Sequence, residues 1–176
     1  MVGARPARAA GPGAASATEQ AAWQALGAVA DPEIPVLSIV DLGIVRRVTA
    51  RAGEPLRVAL TPTYSGCPAT EVIRAQVRAT LAAHGFGAVV LEEELTPPWT
   101  SAWLSAAGRA KLAAYGIAPP EQAVASVRAL RPPRPVACPR CGSLATECVS
   151  EFGSTPCKAH HRCNSCAEPF DYFKCL

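Results

Sequence analysis

No stretch of this 176-residue chain approaches the roughly 18 consecutive apolar residues that a membrane span requires. The start has no apolar core of the kind a secretory signal needs, so export is not expected and the chain reads as cytoplasmic. A formal charge of +3 is too small to imply a polyanionic partner. A dinucleotide-binding glycine fingerprint is missing too, which argues against a nicotinamide or flavin enzyme. Residues 1–15 are Ala, Gly, Pro and Arg with few large apolar side chains and are expected to form a disordered tail.

The remainder is richer. With 49% hydrophobic residues, the chain can build one modest core and a small appended module. Its 17 prolines and 13 glycines cluster at the start, at turns and around residues 119–135, a pattern of two ordered parts and a linker. Ser16-Ala17-Thr18-Glu19 fits a capping box and predicts a helix over about 17–29, ended by the prolines of Asp31-Pro32-Glu33-Ile34-Pro35. Residues 44–50 and 56–61 read as a hairpin, and residues 88–95 as a further strand. A helix is expected from Pro68 to about His84, with His84 a favourable charge at its end, and another from Ser101 to Tyr115, stopped by Gly116. Helix, strand, strand, helix, strand describes a compact α+β domain over residues 16–118, with helices on one sheet face.

Cys67 stands out in the strand-loop-helix passage 60–73. Leu56, Val58 and Leu60 alternate as in a half-buried strand, Pro62 ends it, and Val72, Ile73, Val77 and Leu81 share a helical face beyond Pro68. A thiol at that helix N-terminus should form its thiolate more easily than a free cysteine does. Free cysteine is often a buried small hydrophobe, but the flanking Gly66 and Pro68 suit an exposed tight turn better than a core position. Ser38 and Asp41, polar residues in an apolar run, read first as turn formers.

Residues 119–137 form the expected Pro-rich linker, with a short helix over 121–130 and an extended spacer at 131–135. Beyond it, residues 138–176 hold seven of the eight cysteines. Cys138-Pro139-Arg140-Cys141 and Cys163-Asn164-Ser165-Cys166 are paired knuckles with the spacing of a four-cysteine zinc ribbon. Metal binding would supply the folding free energy that so small a module cannot obtain from a core. Sulfur ligands alone do not separate zinc from an iron-sulfur centre, though knuckles bracketing a hairpin suit a closed tetrahedral zinc site. Cys148, Cys157 and Cys175 are left over. Lys158 beside Cys157 could favour a thiolate, and a plain core role fits equally. His160 and His161 read as strand residues.

Three motifs, Asp31 to Pro35, Ser38 to Gly43 and Gly66-Cys67-Pro68, resemble the iron-sulfur cluster assembly domain of the SufT proteins. Pro97-Pro98-Trp99-Thr100 through Pro120, Glu151 to Thr155, Cys157-Lys158, the second knuckle and Glu168 to Cys175 are similar to the PaaD (PaaJ) family of the phenylacetyl-CoA epoxidase system. The resemblance runs from about Asp31 to Leu176, and Cys148, His160 and His161 depart from its pattern. It implies an accessory protein, without oxygenation chemistry of its own, that helps mature a multicomponent monooxygenase. The other components, a diiron oxygenase and an iron-sulfur flavin reductase, are the implied partners. The sequence agrees, since it lacks the helical Glu and His set of a diiron site.

On this reading Cys67 makes transient contact with iron or a cluster, Glu33 and Asp41 are nearby carboxylates, and the ribbon is a docking module with structural zinc. Cys157 is a secondary candidate. A hydrolase or transferase with Cys67 as nucleophile is the second class, and it lacks an evident base because His84 is expected at the far end of the following helix. A nucleic-acid-binding ribbon using Arg131, Arg134, Arg140 and Arg162 is the third, on a weak electrostatic footprint.

Overall fold

The computed structural model describes residues 16–64, 66–120 and 135–174. The expected tail, the helix over 121–130, most of the proline spacer and Cys175 lie outside them.

Helix α1 spans Ala17–Leu26 and opens with the expected capping box: Glu19 N donates to Ser16 Oγ at 3.2 Å, and Ser16 N donates to Glu19 Oε2 at 2.8 Å. Glu19 Oε1 also accepts from Ala50 N at 3.0 Å, tying the helix start to the end of a strand. The helix is shorter than the 17–29 expected. After Leu26 the chain continues in tight turns, with Val29 N bonded to Leu26 O, so Val29 stays in the core without being helical.

Strands β1 (Val45–Thr49) and β2 (Leu56–Leu60) form the antiparallel hairpin. Helix α2 (Ala69–Ala83) then carries the chain to β3 (Val89–Glu93), which pairs parallel to β2 and leaves β2 central. One sheet face meets the apolar faces of the helices, with Ala22 and Leu26 of α1, Ile73, Val77 and Leu81 of α2, and Val58 all buried. Burying a valine, leucine or isoleucine side chain contributes about 1.5–3 kcal/mol relative to leaving it exposed. The other face carries the ion pairs of Arg47 and Arg57 with Glu92.

The helix expected over 101–115 is broken. Ser101–Trp103 is a single 3₁₀ turn, and α3 runs only from Ala106 to Tyr115, ending at Gly116 as anticipated. The interruption belongs to Ser105, whose extended backbone lets its Oγ accept from Gly108 N at 2.8 Å and donate to Asp41 Oδ1 at 3.1 Å. Asp41 is the anchor of that joint. Its Oδ2 accepts from Ser38 N (3.0 Å), Ser38 Oγ (2.9 Å) and Lys111 Nζ (2.6 Å). Burial opposes the charge, but the Lys111 and Ser38 donors outweigh it and hold the Asp41 carboxyl below the usual range. Gly43 completes the joint: its φ is +69°, and a Cβ there would stand 2.7 Å from the Trp103 carbonyl oxygen.

The C-terminal part is not a free appendage. Strands β4 (Ile117–Ala118), β5 (Thr146–Ser150), β6 (Lys158–Cys163) and β7 (Pro169–Phe173) form a second sheet in the order β4-β7-β6-β5. β4, from the end of the first part, pairs parallel to β7. Phe173 of β7 is 1% exposed and meets Trp99 edge-on at a centroid distance of 6.1 Å, inside the first core. A ribbon too small to cover its own apolar face buries it on the neighbouring domain. The independence that a proline-rich spacer suggests is therefore absent from the packing.

Removing either anchor should show this. Phe173→Ala should cost about 3–5 kcal/mol and destabilise both parts together, with Trp fluorescence and ribbon metal release following one transition. Asp41→Asn should cost about 1–3 kcal/mol at pH 7 in urea unfolding. Because the folded carboxyl titrates below the ordinary value near 3.9, that advantage of the native chain should shrink as pH falls through the folded value.

Candidate functional site

Cys67 sits where β2 gives way to α2. Thr61 closes the strand, its N bonded to Ile44 O at 2.8 Å and its Oγ1 to Glu94 O at 2.6 Å. Pro62 then releases the chain into a loop in which Cys67 N donates to Tyr64 O at 3.3 Å and Cys67 O accepts from Thr70 N at 3.1 Å. Pro68 already has helical dihedrals, so Cys67 lies immediately before the first turn. It is half-buried, where an exposed turn was expected.

The thiol lines a pocket of about 30 Å³ with Asp31, Glu33, Arg74, Cys157 and Phe173. Such a volume holds about one water or one ion. Asp31 shapes one wall, its Oδ1 accepting from Glu33 N at 2.9 Å and Ile34 N at 2.8 Å, a turn that fixes the Glu33 backbone. Cys157 arrives from the ribbon. It is 4% exposed, 3.0 Å from Thr155 Oγ1 and 4.0 Å from Glu33 Oε2.

The pocket sets acidic groups beside the cations Arg74 and Lys158. Burial raises the pKa of Asp31 against the N–H groups of Ile34 and Glu33, and burial together with Asp31 raises Glu33. Burial lifts the Cys157 thiol as well, with Thr155 opposing and Glu33 reinforcing, so the lysine beside it in sequence does not make a thiolate. Lys158 instead points to Asp171 Oδ2 at 3.4 Å. The Tyr64 hydroxyl is buried without a properly aligned hydrogen bond; burial raises its pKa most, and the adjacent Cys67, Glu33 and Cys157 add to it. Burial is the largest cause of each of these shifts, and it favours the neutral, protonated form of every one of these groups.

Of the residues singled out from sequence, Cys67, Glu33 and Cys157 meet here and Asp41 does not. Its oxygens are taken by the α3 joint. Asp31 and Tyr64 were missed; Asp31 read as a helix stop, and Tyr64 as loop, although both flank the motifs that carry Glu33 and Cys67. His84 caps the far end of α2, its Nδ1 2.8 Å from Thr80 O. His160 and His161 lie on β6 as expected, His161 between Phe170 and Tyr172 at centroid distances of 5.6 and 5.5 Å. Cys148 is exposed on β5.

The two knuckles converge into the second site. Cys138 Sγ lies 3.8 Å from Cys166 Sγ and Cys141 Sγ 3.6 Å from Cys163 Sγ, and all four sulfurs are within 4.8 Å of one another. A tetrahedral ion with bonds of about 2.3 Å has sulfur-sulfur edges of about 3.8 Å. The set therefore fits one metal ion; a cluster would spread its cysteines over separate irons. The knuckles are near-copies. After each second cysteine the chain turns left-handed, at Gly142 (φ 73°) and Ala167 (φ 61°), and Ser143 Oγ meets Ser165 Oγ at 2.7 Å between them. Cys166 N donates to Cys163 Sγ at 3.5 Å, a backbone donor to one of the four sulfurs.

Comparison with known proteins agrees with both halves. Residues 19–90 match the family described as iron-sulfur cluster assembly protein, and residues 122–174 match the PaaD zinc beta ribbon domain. A domain of unknown function from Bacillus anthracis, solved by crystallography, is 30% identical with a TM-score of 0.52, over 55% of this chain and 92% of that one. An Escherichia coli (strain K12) protein, named as a putative component of 1,2-phenylacetyl-CoA epoxidase, is 51% identical over 154 residues, covering 88% of this chain and 91% of that protein. With an assembly-type α+β domain, a four-cysteine metal ribbon packed onto it and that identity along nearly its whole length, the chain belongs to the PaaD family of the phenylacetyl-CoA epoxidase system.

Proposed function

We propose that the chain is an accessory maturation factor of phenylacetyl-CoA epoxidase, assisting assembly of a metal or iron-sulfur centre in another component during aerobic phenylacetate breakdown in the cytoplasm. The observation that carries this reading is the pocket of Cys67 and Glu33, which offers a thiol and a carboxylate in a space of about 30 Å³. It is scaled for an ion. The iron-sulfur assembly family match over residues 19–90 supports the same role. The diiron oxygenase components or the iron-sulfur flavin reductase are the clients in this reading.

Cys67 supplies the soft ligand and Glu33 a hard one. Asp41 has no part in it. The ribbon cysteines hold structural zinc, a closed four-sulfur site with no open position for chemistry. No helix among the described residues is long and apolar enough to cross a membrane.

The competing classes fare less well. A Cys67 nucleophile needs a base, and His84 is at the opposite end of the 15-residue α2, about 22 Å along its axis. For nucleic acid, Arg140 is already paired with Glu168 at 2.8 Å, while Arg131 and Arg134 lie outside the described residues.

Cys163→Ser should lose about one equivalent of zinc by metal analysis, and iron in place of zinc after anaerobic purification would refute the assignment. A fully metallated, reconstituted epoxidase should turn over phenylacetyl-CoA without this chain. Cells carrying Cys67→Ser should contain soluble, zinc-loaded chain but under-metallated oxygenase or reductase. A strict requirement for stoichiometric chain with preloaded enzyme, or full client metallation in the mutant cells, would count against maturation.

A further inference from the structure

We propose that the ribbon supplies the second thiolate of the Cys67 site, so that Cys67, Cys157 and Glu33 together take a single ferrous ion. This deepens the maturation reading and rests on it. Cys157 is 124 residues from Glu33 in sequence, yet its sulfur is 4.0 Å from Glu33 Oε2 and it lines the same pocket as Cys67. Cys157 packs in the apolar core, yet its sulfur also meets a carboxylate and a hydroxyl, Thr155 Oγ1 at 3.0 Å, and the Tyr64 hydroxyl lies buried beside Cys67.

The donor set narrows the class of ion, and the maturation reading makes it ferrous. Two sulfurs and one carboxylate oxygen suit a borderline divalent cation and disfavour magnesium or calcium, which take oxygen ligands. The pocket volume of about 30 Å³ admits one ion and is too small for a cluster with bridging sulfides. Three protein ligands leave a tetrahedral position open, through which a receiving site can take the ion by ligand exchange. Each thiol that coordinates releases its proton to solvent, and the metal stays ferrous throughout.

Looseness also distinguishes this set from the ribbon's. The three ligand atoms are not all within 4.8 Å of one another as the four ribbon sulfurs are, so binding an ion must draw them together. A storage site gains from a preformed cage; a delivery site gains from one that reopens. The ribbon then has a task besides its own metal. Phe173 and Cys157 enter the first core together, so seating the ribbon is what presents the second thiol.

The test uses the full chain with zinc in the ribbon and titrates cobaltous ion, then ferrous ion, under anaerobic conditions. Wild type should take about one further equivalent, with sulfur-to-cobalt charge-transfer absorption. Cys67→Ser and Cys157→Ser should each lose about half of that absorption and weaken ferrous binding at least about tenfold. Glu33→Gln should weaken binding while keeping the sulfur band. Cys157→Ala substitutes for the serine variant if that buried position does not tolerate a hydroxyl, and thermal melts confirm folding of each. No further equivalent in wild type, or a Cys157 variant that matches wild type in band and affinity, overturns the proposal. If Cys67→Ser cells under-metallate the client while Cys157→Ser cells do not, the two-thiol site is refuted and the maturation reading survives.

Discussion

The burial of Phe173 is the constraint on which the rest of the arrangement depends. A ribbon of about forty residues has one apolar face and little else to cover it, and a metal fixes its knuckles without hiding that face. By pairing β7 with β4 and inserting Phe173 against Trp99, the chain places the ribbon's apolar surface on the α+β core. Cys157 follows because it precedes β6, the antiparallel partner of β7: Lys158 pairs with Phe173 across that ladder, and Lys174 N donates to Cys157 O at 2.9 Å. The position of the second thiol is thus a consequence of sheet register.

A second joint holds the other side. The loop carrying Asp41 is fixed to α3 by Ser105 and Lys111, and Trp99 Nε1 donates to Leu42 O at 2.9 Å. Trp99 therefore bridges the two joints, one face of its environment given to the Asp41 loop and one to Phe173. Leu42 also lines the Cys67 pocket, so a change at Asp41 reaches the pocket through packing even though its carboxylate does not enter it. An Asp41 variant with a mild metal phenotype would then report on support and not on ligation.

Local signals were readable in the sequence. The Ser16–Glu19 box, Ile73, Val77 and Leu81 on the apolar face of α2 and the two knuckles each depend on neighbours a few residues apart, and the structure has them. Val72, by contrast, is exposed on α2, and Ala59 of the central β2 is buried with Leu56, Val58 and Leu60. What escaped depends on distant partners. Nothing near Ser105 announces that it will cap α3 while bonding Asp41, 64 residues away, so the helix there looked continuous. The proline-rich stretch signalled separation of two parts, because composition describes a linker and not the packing of what it joins. Likewise the lysine next to Cys157 suggested a favoured thiolate, whereas Lys158 turns to Asp171 and the buried sulfur is left with carboxylates.

The contrast between the two sulfur sites follows from how each is built. Ribbon ligands come in pairs two residues apart on tight turns, so the backbone brings each pair together before any ion binds, and only one closure between knuckles remains. The Cys67 pocket draws on three separate segments: the turn after α1, the loop before α2 and the strand entry of the ribbon. Every segment adds its own freedom, and ordering them costs conformational entropy that an ion must offset. At the proposed two-thiol site, affinity would therefore be lower and exchange faster than a preformed set of the same donors would give. The difference between holding an ion and giving it up would then be set by how far apart in sequence the ligands lie.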